Sequence, residues 1–352
     1  MTAAGGVRFD HRGRAGVITL ERPEALNALT LEIAVAIRQR LEAWAGDDGI
    51  ERVLIKSAGG RAFCAGGDIR ALYELGRARD RRFFAFFREE YWLNTVIKRY
   101  PKPYIALIDG IVMGGGVGLS VHGCRRVGTE RLTFAMPETG IGFYPDVGGT
   151  YFLPRCPGEI GMYLALTGAR LKVADAIHAG IVTDHVRSDR LEALERALCE
   201  DDDVDAVLAR FAEHPGEAPL AARRADIDYH FSRPSVEGIL YSLDADPAPW
   251  AKEQAAILRK RSPTSLKITY RQIRAGRHLD FEDCMRLEYR MAHGIFDGHD
   301  FFEGIRAAVI DKDQAPRWQP ARLEDVSEAK VARHFAPLET ELPLPGAGRS
   351  AP

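Results

Sequence analysis

No run of about 18 consecutive apolar residues occurs in the 352-residue chain, so the sequence offers no membrane-spanning helix. An excess of charge of either sign is missing too: 48 Lys and Arg stand against 50 Asp and Glu, a formal net charge of -2. That balance gives no electrostatic case for a nucleic-acid or membrane-surface partner. Cysteines number five, Cys64, Cys124, Cys156, Cys199 and Cys284, with no C-x-x-C spacing. An odd, scattered set argues against a disulfide framework or a zinc site and fits a reducing compartment. Ten histidines include no H-x-x-x-H or H-E-x-x-H pair, so no metal is expected. The start, Met1 to Asp10, has no long apolar run and already carries an acid. Neither a signal nor a transit peptide is evident, and the expected location is the cytoplasm.

What is present is an ordinary globular composition, 46% hydrophobic and 28% charged, long enough for one large domain or two. Segments 7–10 and 16–20 read as strands, 31–44 as an amphipathic helix capped by Thr30, and 52–56 as another strand. Segments 105–109, 117–122 and 132–135 repeat the alternation, and 82–98 reads as a helix whose Phe83, Phe86 and Phe87 suit a core. Beyond the acidic stretch 200–203 the pattern becomes mostly helical, and 341–352, rich in Pro and Gly, reads as a loose tail.

Two carboxylates stand out. Phe134-Ala-Met-Pro-Glu138-Thr-Gly-Ile-Gly-Phe-Tyr-Pro-Asp146-Val-Gly-Gly149 is otherwise apolar and rich in Gly and Pro. A carboxylate in apolar surroundings is paired, protonated or set to work, so Glu138 and Asp146 are candidates for acid/base chemistry. Upstream, Gly110-Ile-Val-Met-Gly114-Gly115-Gly116-Val-Gly118 follows a strand-like run and opens a helix-like one. Successive glycines at a helix start expose backbone N–H groups where the helix dipole favours negative charge. The spacing fits neither G-x-G-x-x-G nor a P-loop. Ser120 and His122, two apart on a helix, face different directions and make a poor nucleophile–base pair.

A third element, Gly59-Gly-Arg-Ala-Phe63-Cys64-Ala65-Gly66-Gly67-Asp68-Ile69-Arg70, again leads from a strand into a glycine turn and a helix. With it, and with Glu21-Arg-Pro-Glu-Ala-Leu-Asn27-Ala-Leu, residues 7 to 190 resemble the crotonase (enoyl-CoA hydratase/isomerase) superfamily. The resemblance implies an α/β fold, a spiral of ββα units with a mostly helical C-terminal region. Residues 1–200 would form the core with the oxyanion hole and acyl-CoA site, 201–340 the helical region and 341–352 a disordered tail. It also implies an acyl-CoA thioester as substrate, its carbonyl oxygen held between the N–H groups of Gly67 and Gly115. Pre-aimed backbone donors of this kind stabilise charge that develops as the carbonyl is attacked, by roughly 3 to 4 kcal/mol per donor.

Within this superfamily, hydratases carry one catalytic Glu three residues after the oxyanion glycine and a second in a Pro-Glu motif. Here the first position is Gly118 and only the second acid, Glu138, is present. The segments around Glu138 and Asp146, together with Phe86-Phe-Arg88-Glu89-Glu90-Tyr and Asp300-Phe-Phe-Glu-Gly-Ile-Arg-Ala-Ala-Val-Ile-Asp-Lys-Asp313, resemble the branch that hydrolyses a thioester. That resemblance implies the CoA thioester of 3-hydroxyisobutyrate as substrate, in valine breakdown. Glu138, Asp146, Gly67 and Gly115 are the expected catalytic positions, and Glu90, Gly115, Glu138, Asp146, Ala65 and Asp68 the substrate-binding ones. No cofactor is expected beyond the CoA of the substrate, and a homo-oligomer would be in keeping with the family. Glu138 acts as general base or as nucleophile; the alternatives are a hydratase or isomerase using Glu138 alone, and a non-catalytic acyl-CoA binder.

Overall fold

The structure, a computed structural model, describes residues 5–201 and 203–344. Among the described residues nine strands form two sheets. β1 (Val7–Arg12), β2 (Ala15–Leu20), β3 (Arg52–Ser57), β5 (Tyr104–Ile108), β7 (Arg125–Gly128) and β9 (Asp184–His185) lie in that order in the larger sheet. β1 and β2 are an antiparallel hairpin in which Val7 faces Leu20, and every later pairing is parallel. β4 (Ala62–Cys64), β6 (Ile111–Met113) and β8 (Thr133–Ala135) form a smaller parallel sheet.

The chain thus lays one strand in the large sheet, the next in the small one, and returns through a helix, three times over. This is the ββα spiral that the family resemblance implies. Parallel strands covered on both faces read as apolar runs, and Ala15–Leu20 and Tyr104–Ile108 are buried at every position. The helix Leu31–Ala45 starts where Thr30 accepts the N–H of Ile33, and it buries Ile33, Ile37 and Leu41. Helix Arg82–Lys98 has the bounds expected. The strands β4 and β6 were read as parts of glycine turns. Three residues between glycines are too few for a two-residue period to register.

Helices Leu191–Glu200 and Val204–Phe211 bring Leu194, Leu198, Val207 and Leu208 onto the outer face of the large sheet, against Val17, Leu54, Ile105 and Val127. On the other side, Leu266, Met285 and Phe301 of the C-terminal helices join the same buried cluster as Ile18, Phe63 and Phe134. Residue 200 marks a change in composition, and the buried core runs across it. At the start of the segment read as a tail, Leu342 is buried and Glu341 is bonded to Arg290; the rest of that reading, 345–352, lies outside the described residues. No helix among the described residues is long and apolar enough to cross a membrane.

Candidate active site

The small sheet delivers two glycine turns to one place. β4 ends at Cys64 and β6 at Met113, paired side by side, so Ala65–Gly67 and Gly114–Gly115 follow from adjacent parallel strands. Gly66 (φ 121°) and Gly114 (φ 45°) take up backbone conformations that a side chain would strain. Gly115 is the first residue of a short helix, where an N–H has no partner in its own helix. Among the described residues, neither the Gly67 N–H nor the Gly115 N–H donates to a backbone or side-chain acceptor. A Cβ placed on Gly115 would stand 3.3 Å from the Gly67 nitrogen and 2.5 Å from Glu90 Oε1. The two donors and an acid therefore surround one small space.

That space is a cavity of about 170 Å³, lined by Ala65, Gly67, Gly115, Glu90, Glu138 and Asp146, with Phe86, Phe87, Phe143 and Phe301 among its apolar walls. Six of the seven candidate residues therefore meet at one cavity. Asp68 does not. Its carboxylate caps helix Ile69–Arg77 by accepting the Ala71 N–H and lies 3.7 Å from Arg22, so its polar atoms serve the turn and not the cavity.

β8 runs out through Met136 and Pro137 into a single 3-10 turn, Glu138–Ile141, which buries the Glu138 side chain and leaves its Oε2 without a hydrogen-bond partner. Glu90 projects from helix Arg82–Lys98 with an unpartnered Oε1, whereas the neighbouring Glu89 bonds Arg38 in a more solvated setting. Asp146 sits on the turn after Pro145, where its Oδ2 accepts the hydroxyl of Tyr91 at 2.9 Å.

Burial sets the electrostatics. It pushes the Asp146 carboxyl up to about 7 even though the Tyr91 hydroxyl favours the ionised form. Burial, and then the charge of Asp146, raise Glu138 well above the usual carboxylate range. Glu90 is raised by burial and by Asp146, Glu288 and Glu138 in turn. Glu288, from a distant helix, is pushed up to about 8 by burial and Asp146. Four acids so close cannot all ionise together near neutral pH.

Cys64 is buried, which raises its thiol to about 12, and its sulfur turns toward the Gly66 carbonyl. The Ser120 hydroxyl is spent on the Gly116 carbonyl, and His122, lowered to about 3 by burial, bonds the Val147 carbonyl. Among the described residues no group of three or more His, Cys, Asp and Glu is placed to hold a metal ion. Tyr91, Tyr144 and Glu288 were missed in the sequence. Tyr91 directly follows Glu90, which is the one local hint; Glu288 lies 142 residues from Asp146 and gives no such signal.

Comparison with known proteins places this arrangement. The family profile described as enoyl-CoA hydratase/isomerase matches residues 15–335. A zebrafish (Danio rerio) protein named 3-hydroxyisobutyryl-CoA hydrolase, mitochondrial, is 49% identical over 347 residues, covering 96% of this chain and 91% of its own. The human protein of the same name is 46% identical over 346 residues, covering 96% and 90%. Among solved structures, a carnitinyl-CoA dehydratase from Mycobacterium thermoresistibile superposes with a TM-score of 0.93 at 44% identity, over 97% of this chain and 99% of that one. An enoyl-CoA hydratase from Rhodobacter sphaeroides 2.4.1 does so with a TM-score of 0.89 at 41% identity, over 95% and 98%. The relatives' names overturn one expectation: they are mitochondrial proteins, which points away from the cytoplasm. That expectation rested on the scattered cysteines and on the first ten residues, and neither decides a compartment.

Proposed function

Because the chain belongs to the enoyl-CoA hydratase/isomerase family, we propose that it is a thioester hydrolase that converts 3-hydroxyisobutyryl-CoA to 3-hydroxyisobutyrate and free CoA, a step in valine breakdown. The names of relatives 46–49% identical support the substrate. The observation that carries the reading is the cavity in which two unengaged N–H groups and the buried acids Glu138 and Asp146 meet, while position 118 has no acid and no room for one. A Cβ there would stand 2.6 Å from Asn94 Nδ2 and 2.8 Å from the Val147 Cβ. A second carboxylate for adding water across a double bond has no place at that position.

In this reading the thioester carbonyl oxygen accepts from the Gly67 and Gly115 N–H groups, which gain strength as negative charge builds on it. Glu138 acts on the carbonyl carbon, through a water it deprotonates or by direct attack, and both routes need it ionised. On the first route the water oxygen bonds the carbonyl carbon, the C–S bond breaks, and the CoA sulfur leaves with the proton that Glu138 took from the water; on the second the Glu138 oxygen displaces the CoA sulfur, and water then cleaves the resulting anhydride to release the acid and restore Glu138, its proton passing to the thiolate. Asp146, steadied by Tyr91, orients the substrate's hydroxyl, and the phenylalanine walls receive its methyl branch. A thioester is already activated for acyl transfer, so the reaction needs no metal or redox cofactor.

Glu138→Gln tests the assignment. The amide keeps the shape but can neither take a proton nor attack, so kcat for thiol release should fall on the order of a hundredfold or more while substrate binding, followed by calorimetry, survives. A folded variant with near-normal kcat removes Glu138 from the chemistry.

A further inference from the structure

Glu288 is fully buried in helix Phe281–Phe296, far from the acyl cavity in sequence and absent from its lining. Its two carboxyl oxygens are both engaged, Oε2 by the Gly148 N–H and Oε1 by the Thr150 N–H, each at 2.9 Å. Its backbone carbonyl accepts the Tyr144 hydroxyl, which stands 3.3 Å from the Tyr91 hydroxyl, and Tyr91 in turn donates to Asp146. One helix position therefore holds the turn that carries Asp146 at its far end, and the tyrosine pair that meets the Asp146 carboxylate.

The turn needs holding. Val147 has φ 51°, a left-handed conformation that is unusual and strained for a β-branched residue. Such a conformation persists only when its surroundings over-determine it. Gln272, from helix Pro263–Gly276, adds bonds to the Pro145 carbonyl at 2.6 Å and to Thr150 Oγ1 at 2.7 Å, and His122 bonds the Val147 carbonyl at 2.7 Å. Of these contacts only that of Glu288 takes up two backbone N–H groups within the turn and also reaches the Asp146 carboxylate through tyrosines.

We propose that Glu288 is a positioning residue for Asp146, fixing the 146–150 turn through its paired acceptance of the Gly148 and Thr150 N–H groups. The inference rests on the hydrolase reading above, in which Asp146 orients the substrate. It makes the C-terminal helices part of the machinery, since without them the strained turn would relax and the carboxylate would shift. A misplacement of about 1 Å at a reacting site costs up to roughly a hundredfold in rate.

The test is a double-mutant cycle on thiol release from 3-hydroxyisobutyryl-CoA. Glu288→Gln turns an amide NH2 toward one of the two backbone donors, so kcat should fall about tenfold to a hundredfold with KM within roughly threefold of the parent. In an Asp146→Asn background the same change should cost less than about twofold more, because the group it positions is already gone. A structural role alone predicts a lower melting temperature with kcat per folded molecule unchanged, or a kcat loss that recurs in full beside Asp146→Asn; either overturns the inference. If Asp146→Asn itself keeps full kcat, the reading of Asp146 has failed. If Asp146→Asn is impaired and Glu288→Gln is not, the inference alone has failed. Should Glu288→Gln not fold, Glu288→Asp, which keeps the charge but draws the carboxylate back from the Gly148 and Thr150 N–H groups by one methylene, takes its place, and the same pattern of loss decides the matter.

Discussion

Gly115→Ala offers the sharpest probe of the oxyanion space, because the structure says where the added methyl would go. Its carbon would stand 3.3 Å from the Gly67 nitrogen, while an oxygen accepting that N–H belongs at about 2.9 Å, so methyl and oxyanion compete for one position. The substrate carbonyl must then give up at least one donor, an effect of about 3 kcal/mol and hence roughly a hundredfold in kcat/KM. The fold should suffer less. The methyl's closest contact, 2.5 Å, is with Glu90 Oε1, the far end of a flexible side chain, and overpacking of this kind costs about 1–3 kcal/mol. The assay is kcat/KM for thiol release per folded molecule, with thermal melting on the same samples. A folded Gly115→Ala enzyme within threefold of the wild type would mean that the oxyanion forms elsewhere.

The pH profile should be displaced upward. Hydrolysis needs Glu138 ionised, and burial together with the Asp146 charge raises it well above the usual range. The acid limb of kcat/KM should accordingly lie well above the usual carboxylate range, and a plateau extending down through that range would contradict the buried acid cluster. Tyr91→Phe removes the donor that favours ionised Asp146, so Asp146 carries less charge beside Glu138 and the acid limb should move to lower pH; a limb left in place would show that the Asp146 charge does not raise Glu138. Glu90→Gln should stabilise the protein increasingly as pH rises. With its folded value raised above the unfolded one, the wild-type carboxyl contributes stability below the ordinary Glu range that is lost as pH climbs through the folded value, while the amide does not titrate. Melting temperatures at pH 6 and pH 9 check this, and a difference between the two proteins that does not grow fails it. Gly118→Glu should create no hydratase, because its Cβ already meets Asn94 and Val147; measured hydration of crotonyl-CoA by the variant would refute the steric argument.

Legibility in the sequence followed interaction range. Glu138, Asp146 and the glycines at 67 and 115 lie in motifs whose local chemistry is anomalous, and the structure gathers them around one cavity. Glu90 is different. On helix periodicity it resembles its solvated neighbour Glu89, and only family resemblance separated the two before the fold showed one buried and the other paired with Arg38. Asp68 stands apart from the cavity: its side chain caps the helix that follows the Gly66–Gly67 turn, and a helix-capping acid has the same residue type as a ligand-binding one. Tyr144 and Glu288 were unreadable, since their roles arise from a helix that closes over the Asp146 turn from the other end of the chain. The short strands β4 and β6 escaped for the opposite reason: the glycines that flank them leave three residues each, too few for the alternation that marks a strand.

The central claim is that this cavity cleaves a thioester and does not hydrate a double bond. Thiol release and enoyl absorbance, followed on one preparation of the wild-type enzyme, test it directly. With 3-hydroxyisobutyryl-CoA the account predicts stoichiometric release of free CoA thiol, and with crotonyl-CoA little or no loss of enoyl absorbance. Robust hydration of crotonyl-CoA with no thiol released from 3-hydroxyisobutyryl-CoA would contradict it.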